Sequence, residues 1–167
     1  MLPYFVVLTL VMLLLYMGGN YSFNKPNKLS YYLTAIVLTI FVTIRSSDVG
    51  TDSNNYVGIF NNFKDNKEGL FSITTSIEIG YLMLQEIAIN ISNNYWSLFF
   101  TVALVCIFTT YYTINKLSDN VKVSVFIYFS LASYFFLFNG ARQAIAASIC
   151  GLAIYFLINK NRVGYFI

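Results

Sequence analysis

The sequence predicts an all-α protein: a polytopic bundle of about five transmembrane helices with a short amphipathic or re-entrant segment on one side. Three observations predict it. Hydrophobic residues make up 57% of the chain and charged residues 10%, whereas a soluble domain carries about 25% charged residues. The mean hydropathy is +0.65. The apolar residues are gathered into runs that approach the roughly 20 residues needed to cross a bilayer. The whole chain, residues 1–167, reads as a single transmembrane domain.

The first span is Leu2 to Met17, with Gly18-Gly19 as its stop. It lacks the basic start and small-residue cleavage site of a signal peptide. A loop with Lys25, Pro26 and Lys28 leads to a second span, Leu29 to Ile44, closed by Arg45. From Ser46 the chain turns polar. Within that stretch Tyr56, Ile59, Phe60 and Phe63 recur at the spacing of one helical face, which predicts a short amphipathic helix at the membrane surface. Ile79 to Ile91 is apolar but short, and Gln85 and Glu86 interrupt it. It reads as a re-entrant or surface helix packed on protein. Residues 46–94 thus form one polar outer loop with two helical segments. Trp96 to Ile114 is a full span led by an interfacial Tyr95-Trp96 pair. A loop with Lys116, Asp119 and Lys122 follows, then a span from Val123 to Phe138. A tight corner, Asn139-Gly140-Ala141-Arg142-Gln143, precedes a last span, Ala144 to Ile158, closed by Lys160 and Arg162. A new apolar run begins at Val163, so the chain reads as the first part of a longer protein.

Charge assigns the sides. If Ile79 to Ile91 does not cross, one side holds six basic residues (Lys25, Lys28, Lys116, Lys122, Lys160, Arg162) and one acidic residue, Asp119. The other holds four basic residues (Arg45, Lys64, Lys67, Arg142) and six acidic ones (Asp48, Asp52, Asp65, Glu68, Glu78, Glu86). The positive-inside rule places the first side in the cytoplasm, with the N-terminus and the 46–94 loop outside.

Several function classes drop out. A net charge of +3 without a basic tract gives no reason to expect a nucleic-acid partner. The absence of histidine removes His-dependent triads and His-ligated metals. Cys106 and Cys150 sit alone in apolar runs and read as small span residues. No metal-ligand cluster or cofactor motif is visible, and the expected partners are membrane lipids.

The topology brings Arg45, Asp48, Asp52, Glu78, Arg142 and Gln143 to the outer face. Two arginines among carboxylates suit an anion pocket with an acid/base group, because a guanidinium can bond two oxygens of a phosphate at once. Each residue also has a plainer reading. Arg45 suits a snorkelling helix end, Gly50-Thr51-Asp52 an ordinary turn, and Glu78 a charge at a helix N-terminus. Arg142 is harder to explain that way, since it stands on the side that should be poor in basic residues.

The ordered set Arg45, Gly50-Thr51-Asp52, Asn55-Tyr56, Glu78-Ile79-Gly80-Tyr81 and Asn139-Gly140-Ala141-Arg142-Gln143-Ala144 resembles the EpsG-type exopolysaccharide polymerases, relatives of the Wzy-type O-antigen polymerases. Members of that family are about twice as long, so the resemblance covers an N-terminal portion. It implies a protein of the bacterial cytoplasmic membrane that joins oligosaccharide units carried on undecaprenyl pyrophosphate, without a cofactor. It implies Asp52, Glu78 and Arg142 as catalytic residues. Arg45, Arg142, Gln143 and Tyr56 become contacts to pyrophosphate or glycan, and a chain-length regulator becomes a further partner. The alternatives are a flippase for lipid-linked sugars and a non-catalytic truncated membrane subunit.

Overall fold

A computed structural model describes residues 2–18, 26–65, 78–131 and 133–160. Lys25, Lys67, Glu68, Arg162 and the run after Val163 lie outside the described residues. Eight helices are seen among them, and no strand: α1 (Leu2–Met17), α2 (Lys28–Thr43), α3 (Ser53–Asp65), α4 (Ile79–Ile91), α5 (Tyr95–Leu117), α6 (Val121–Ser130), α7 (Phe136–Asn139) and α8 (Ala141–Ile158).

The bundle is organised around α5, which packs against α8, α2 and α4 and touches α3, α6 and α7. Its small buried positions, Ser97, Thr101, Ala103 and Cys106, let neighbours approach closely. At 23 residues it is about 35 Å long, enough to cross a bilayer. The 18-residue α8 is also long and apolar enough to cross. Helices α1, α2, α4 and α6 are apolar but shorter. Much of the outer surface is bare hydrocarbon, including Leu2, Phe5, Leu13 and Met17 of α1 and Ile154, Leu157 and Ile158 of α8. Apolar surface on that scale calls for lipid or protein against it.

The expected single span from Val123 to Phe138 is broken. Helix α6 ends at Ser130, and a turn leads into the four-residue α7. Neither Pro nor Gly marks the break. Tertiary contacts hold it instead. Tyr134 is fully buried, stacks on Phe129 at 5.0 Å and donates its hydroxyl to the Leu38 carbonyl of α2 at 2.8 Å. Tyr4 of α1 packs edge-on against Phe41, Phe135 and Phe138 at the same level.

The polar end of the bundle is tied by side chains to backbone carbonyls. Ser53 at the start of α3 donates to the Val49 carbonyl at 2.6 Å and the Phe138 carbonyl at 3.2 Å. The Asn139 side-chain oxygen accepts from the Thr51 amide at 3.2 Å. Between them Gly50 adopts φ +107, and a Cβ there would stand 2.0 Å from the Phe138 oxygen. The Gly50-Thr51-Asp52 turn is thus moulded onto the α7–α8 corner, which an ordinary turn would not need.

Helix α3 buries Tyr56 and Phe60 and half-buries Ile59 and Phe63, the face its periodicity predicts. Protein covers that face, from α4 and α5. Helix α4 buries Tyr81, Leu82, Gln85 and Ala88 and leaves Glu86 exposed. Its first residues meet the start of α8, and the chain returns through α5, whose Phe99 ring lies 3.9 Å from the Arg45 guanidinium. At 13 residues α4 is about 20 Å long, short of the roughly 30 Å hydrocarbon core of a bilayer.

Candidate functional site

A cleft of about 510 Å³ opens at the polar end, lined among others by Asp52, Tyr56, Glu78, Tyr81, Arg142 and Gln143. Residues far apart in the chain converge there because three helices start there. Asp52 immediately precedes α3, and its carbonyl accepts the Tyr56 amide. Glu78 occupies the N-cap position of α4, and Gly140 that of α8. The positive ends of three helix dipoles face one space, an arrangement favourable to anions.

Arg142 and Glu78 span the cleft. Their side chains form an ion pair, Nη1 to Oε2, at 2.9 Å, with the arginine 39% and the glutamate 66% exposed. It is the one ion pair among the described residues. An exposed pair of this kind adds little stability, about 0–1 kcal/mol. Its consequence is positional: Glu78 fixes Nη1 of an arginine that lines the cleft, and a guanidinium has further N–H donors for another ligand. Arg142 and Gln143 belong to the first turn of α8, which starts at Ala141, so the expected corner shrinks to Gly140. The Glu78 carboxyl is held below the usual glutamate range, first by a hydrogen bond from its own backbone N–H and then by Arg142.

Of the six residues singled out from the sequence, five line the cleft: Asp52, Tyr56, Glu78, Arg142 and Gln143. Arg45 is set apart. It does not snorkel; it turns inward, 7% exposed, and donates Nη1 to the Leu137 carbonyl at 3.1 Å. Asp48 also stays outside, bonded locally to Ser46 and Asn54. Sequence reasoning named Tyr81 within the Glu78-Ile79-Gly80-Tyr81 motif without giving it a role and took Gln85 as an interruption of an apolar run. The i, i+4 spacing of two polar groups in an apolar helix was the available signal.

A family model described as the EpsG family matches residues 28–167. The chain belongs to the EpsG family. The match contains every cleft residue named above. Neither a curated protein nor a solved structure matches the chain. Membership, together with the apolar helices, makes this EpsG-family protein a membrane protein connected with polysaccharide biosynthesis.

Proposed function

We propose that this EpsG-family protein polymerises undecaprenyl-pyrophosphate-linked oligosaccharide units at the outer face of the bacterial cytoplasmic membrane. The observation that carries the reading is the cleft itself: Arg142 held by Glu78 where three helix N-termini meet. The polymerisation chemistry comes from the family, and the cleft supplies groups able to perform it.

In the proposed step an acceptor sugar hydroxyl attacks the anomeric carbon of the donor glycan. A new C–O bond forms as the bond to the pyrophosphate oxygen breaks, and the electron pair leaves with the lipid pyrophosphate. The proton passes to a carboxylate. Asp52 suits that role, because it lines the cleft without a basic partner among the described residues. Glu78 is committed to Arg142 and held in its charged form, so it orients the arginine. Arg142 and the helix dipoles meet the departing negative charge. Gln143 and Tyr56 offer hydrogen bonds to sugar hydroxyls.

The proposed topology has five spans, α4 staying on the outer side and the N-terminus outside. The 13-residue length of α4, short for a span, and the charge asymmetry of the loops support it. Reconstitution into liposomes with a lipid-linked repeat unit tests the function. Longer glycan that depends on Arg142 supports polymerisation. Relocation of an unchanged substrate across the bilayer identifies a flippase instead.

A further inference from the structure

The end of the bundle opposite the cleft carries a second cavity, of about 490 Å³. Contacts between helices place it there. Arg45, just past the end of α2, meets Phe99 near the start of α5. Tyr31, near the start of α2, lies 4.8 Å from Tyr111 near the end of α5, centroid to centroid. The two helices therefore run antiparallel. Helix α8 joins them at the same end, its Tyr155 ring 5.8 Å from that of Tyr112. Helices α2 and α8 pack on α5 and hardly on each other, so α5 is the floor of a groove whose walls they form. Ala35 of α2 is fully buried there and contributes only a methyl group.

The groove opens sideways. Tyr32, Phe108 and Tyr112 line it and are themselves exposed. Its rim therefore lies in the apolar outer surface of the bundle, where lipid has access. Aromatic and aliphatic walls of this kind suit a hydrocarbon chain, and the volume falls within the range of about 300–1,000 Å³ usual for ligand pockets.

The mouth is basic. Lys28 stands one helical turn before Tyr32, and Lys116 one turn after Tyr112, with its Nζ 5.7 Å from the Tyr112 ring centroid. Lys160 stands just past the end of α8, which supplies Phe156 to the wall. All three lysines are exposed, and the ion pair among the described residues lies at the other end. Lys116 and Lys160 also suit the negative ends of their helix dipoles, but Lys28 is the first residue of α2, at the positive end. A cation there is disfavoured unless an anion meets it. Asn115 adds an amide at the same rim.

We propose that this groove seats an acyl chain of an anionic glycerophospholipid, with the headgroup phosphate held between Lys28 and Lys116 and approached by Lys160. Basic pockets between membrane helices bind anionic headgroups in this way. A lysine is a compact charge on a flexible stem, able to follow a mobile headgroup. The seat needs nothing from the chemistry of the cleft.

The test is native mass spectrometry of the full chain in a neutral detergent. It is titrated with phosphatidylglycerol and, separately, with phosphatidylcholine of the same acyl chains. Phosphatidylglycerol should be retained about tenfold or more tightly, and Lys28→Gln and Lys116→Gln should each weaken it about fivefold. Both side chains are exposed, so these variants stay informative even where a groove variant unfolds. Leu152→Trp fills the groove with the lysines intact and should abolish retention. Ile154→Trp, on the exposed side of α8 and outside the groove, should not. Lysine dependence with parent-like retention in Leu152→Trp means surface attraction alone and overturns the seat. Equal retention of phosphatidylcholine, or parent-like binding by both lysine variants, also overturns it. Displacement by an equimolar polyprenyl phosphate assigns the groove to the substrate's lipid carrier, and a dimer formed in place of the lipid assigns it to a second copy; either overturns the proposal. Arg142→Ala should retain phosphatidylglycerol as the parent does, so loss of elongation in that variant leaves the seat standing. Loss of the lipid in that variant overturns the seat.

Discussion

Replacing Gly50 with alanine should be among the most damaging small substitutions in this protein. Its φ of +107 lies in the left-handed region, where a side chain costs about 1–3 kcal/mol. The added Cβ would stand 2.0 Å from the Phe138 oxygen and 2.8 Å from Ser53 Oγ. The obstruction is backbone, so the Gly50 turn must lift away from the α7–α8 corner. Lifting it strains the Ser53-to-Phe138 and Thr51-to-Asn139 hydrogen bonds, each worth about 1 kcal/mol. The sum is about 3–5 kcal/mol, or an apparent Tm lower by about 6–20 °C. Gly58 is the internal control. It lies within α3, and a Cβ there meets nothing within 4 Å. Gly58→Ala should therefore stabilise by about 0.5–1 kcal/mol. Cys106 is buried and Cys150 exposed, so unfolding can be followed by dye capture of Cys106 in a Cys150→Ala background. The reasoning is refuted if Gly50→Ala melts within 2 °C (about 1 kcal/mol) of its parent, or if both glycine variants shift the same way.

Three further outcomes are expected. Arg142→Ala should cut glycan elongation in the reconstituted system by about 10²-fold or more, as loss of a charge-stabilising donor does, with little change in apparent Tm because the ion pair is exposed; parent-like product length and yield would remove the cleft from the mechanism. The Glu78–Arg142 pair should follow pH in a defined direction. Its folded-state carboxyl lies below the ordinary value, so its small stabilisation is fully present above the unfolded-state value of about 4.3 and is lost as pH falls through the folded value. A ¹³C titration of Glu78 should show a depressed midpoint that Arg142→Ala only partly restores, since the backbone N–H is the larger cause. A full return to the ordinary value in that variant would contradict the assignment. A cysteine at Asn62, on the exposed side of α3, should react with an impermeant thiol reagent from outside the cell; labelling only after permeabilisation would invert the proposed topology.

The elements that were legible from sequence were those set by local periodicity. Leu2–Met17 and Ile79–Ile91 appear with the bounds their apolar runs suggest, and the Tyr56, Ile59, Phe60, Phe63 stripe is the face α3 turns inward. Hydrophobic spacing is a property of the segment alone, so it survives whatever the segment packs against. The span expected at Val123–Phe138 failed for the complementary reason. Its residues are uniformly apolar, and the break after Ser130 is held by Tyr134 reaching α2 and by Tyr4 packing from α1. Contacts between distant segments leave no periodic trace.

The same division runs through the site. By itself the sequence determined that the chain is an apolar helical bundle and that charge collects at a few breaks between helices. Those facts follow from composition and spacing. Only the tertiary structure decided which charges meet. It set Glu78 against Arg142 across 64 positions and moulded the Gly50 turn onto the Phe138 carbonyl. It also turned Arg45 inward onto the Phe99 and Phe138 rings. The physical reason is that a charge at a helix end can be met by water, lipid headgroup or another helix. The sequence permits all three, and packing selects one.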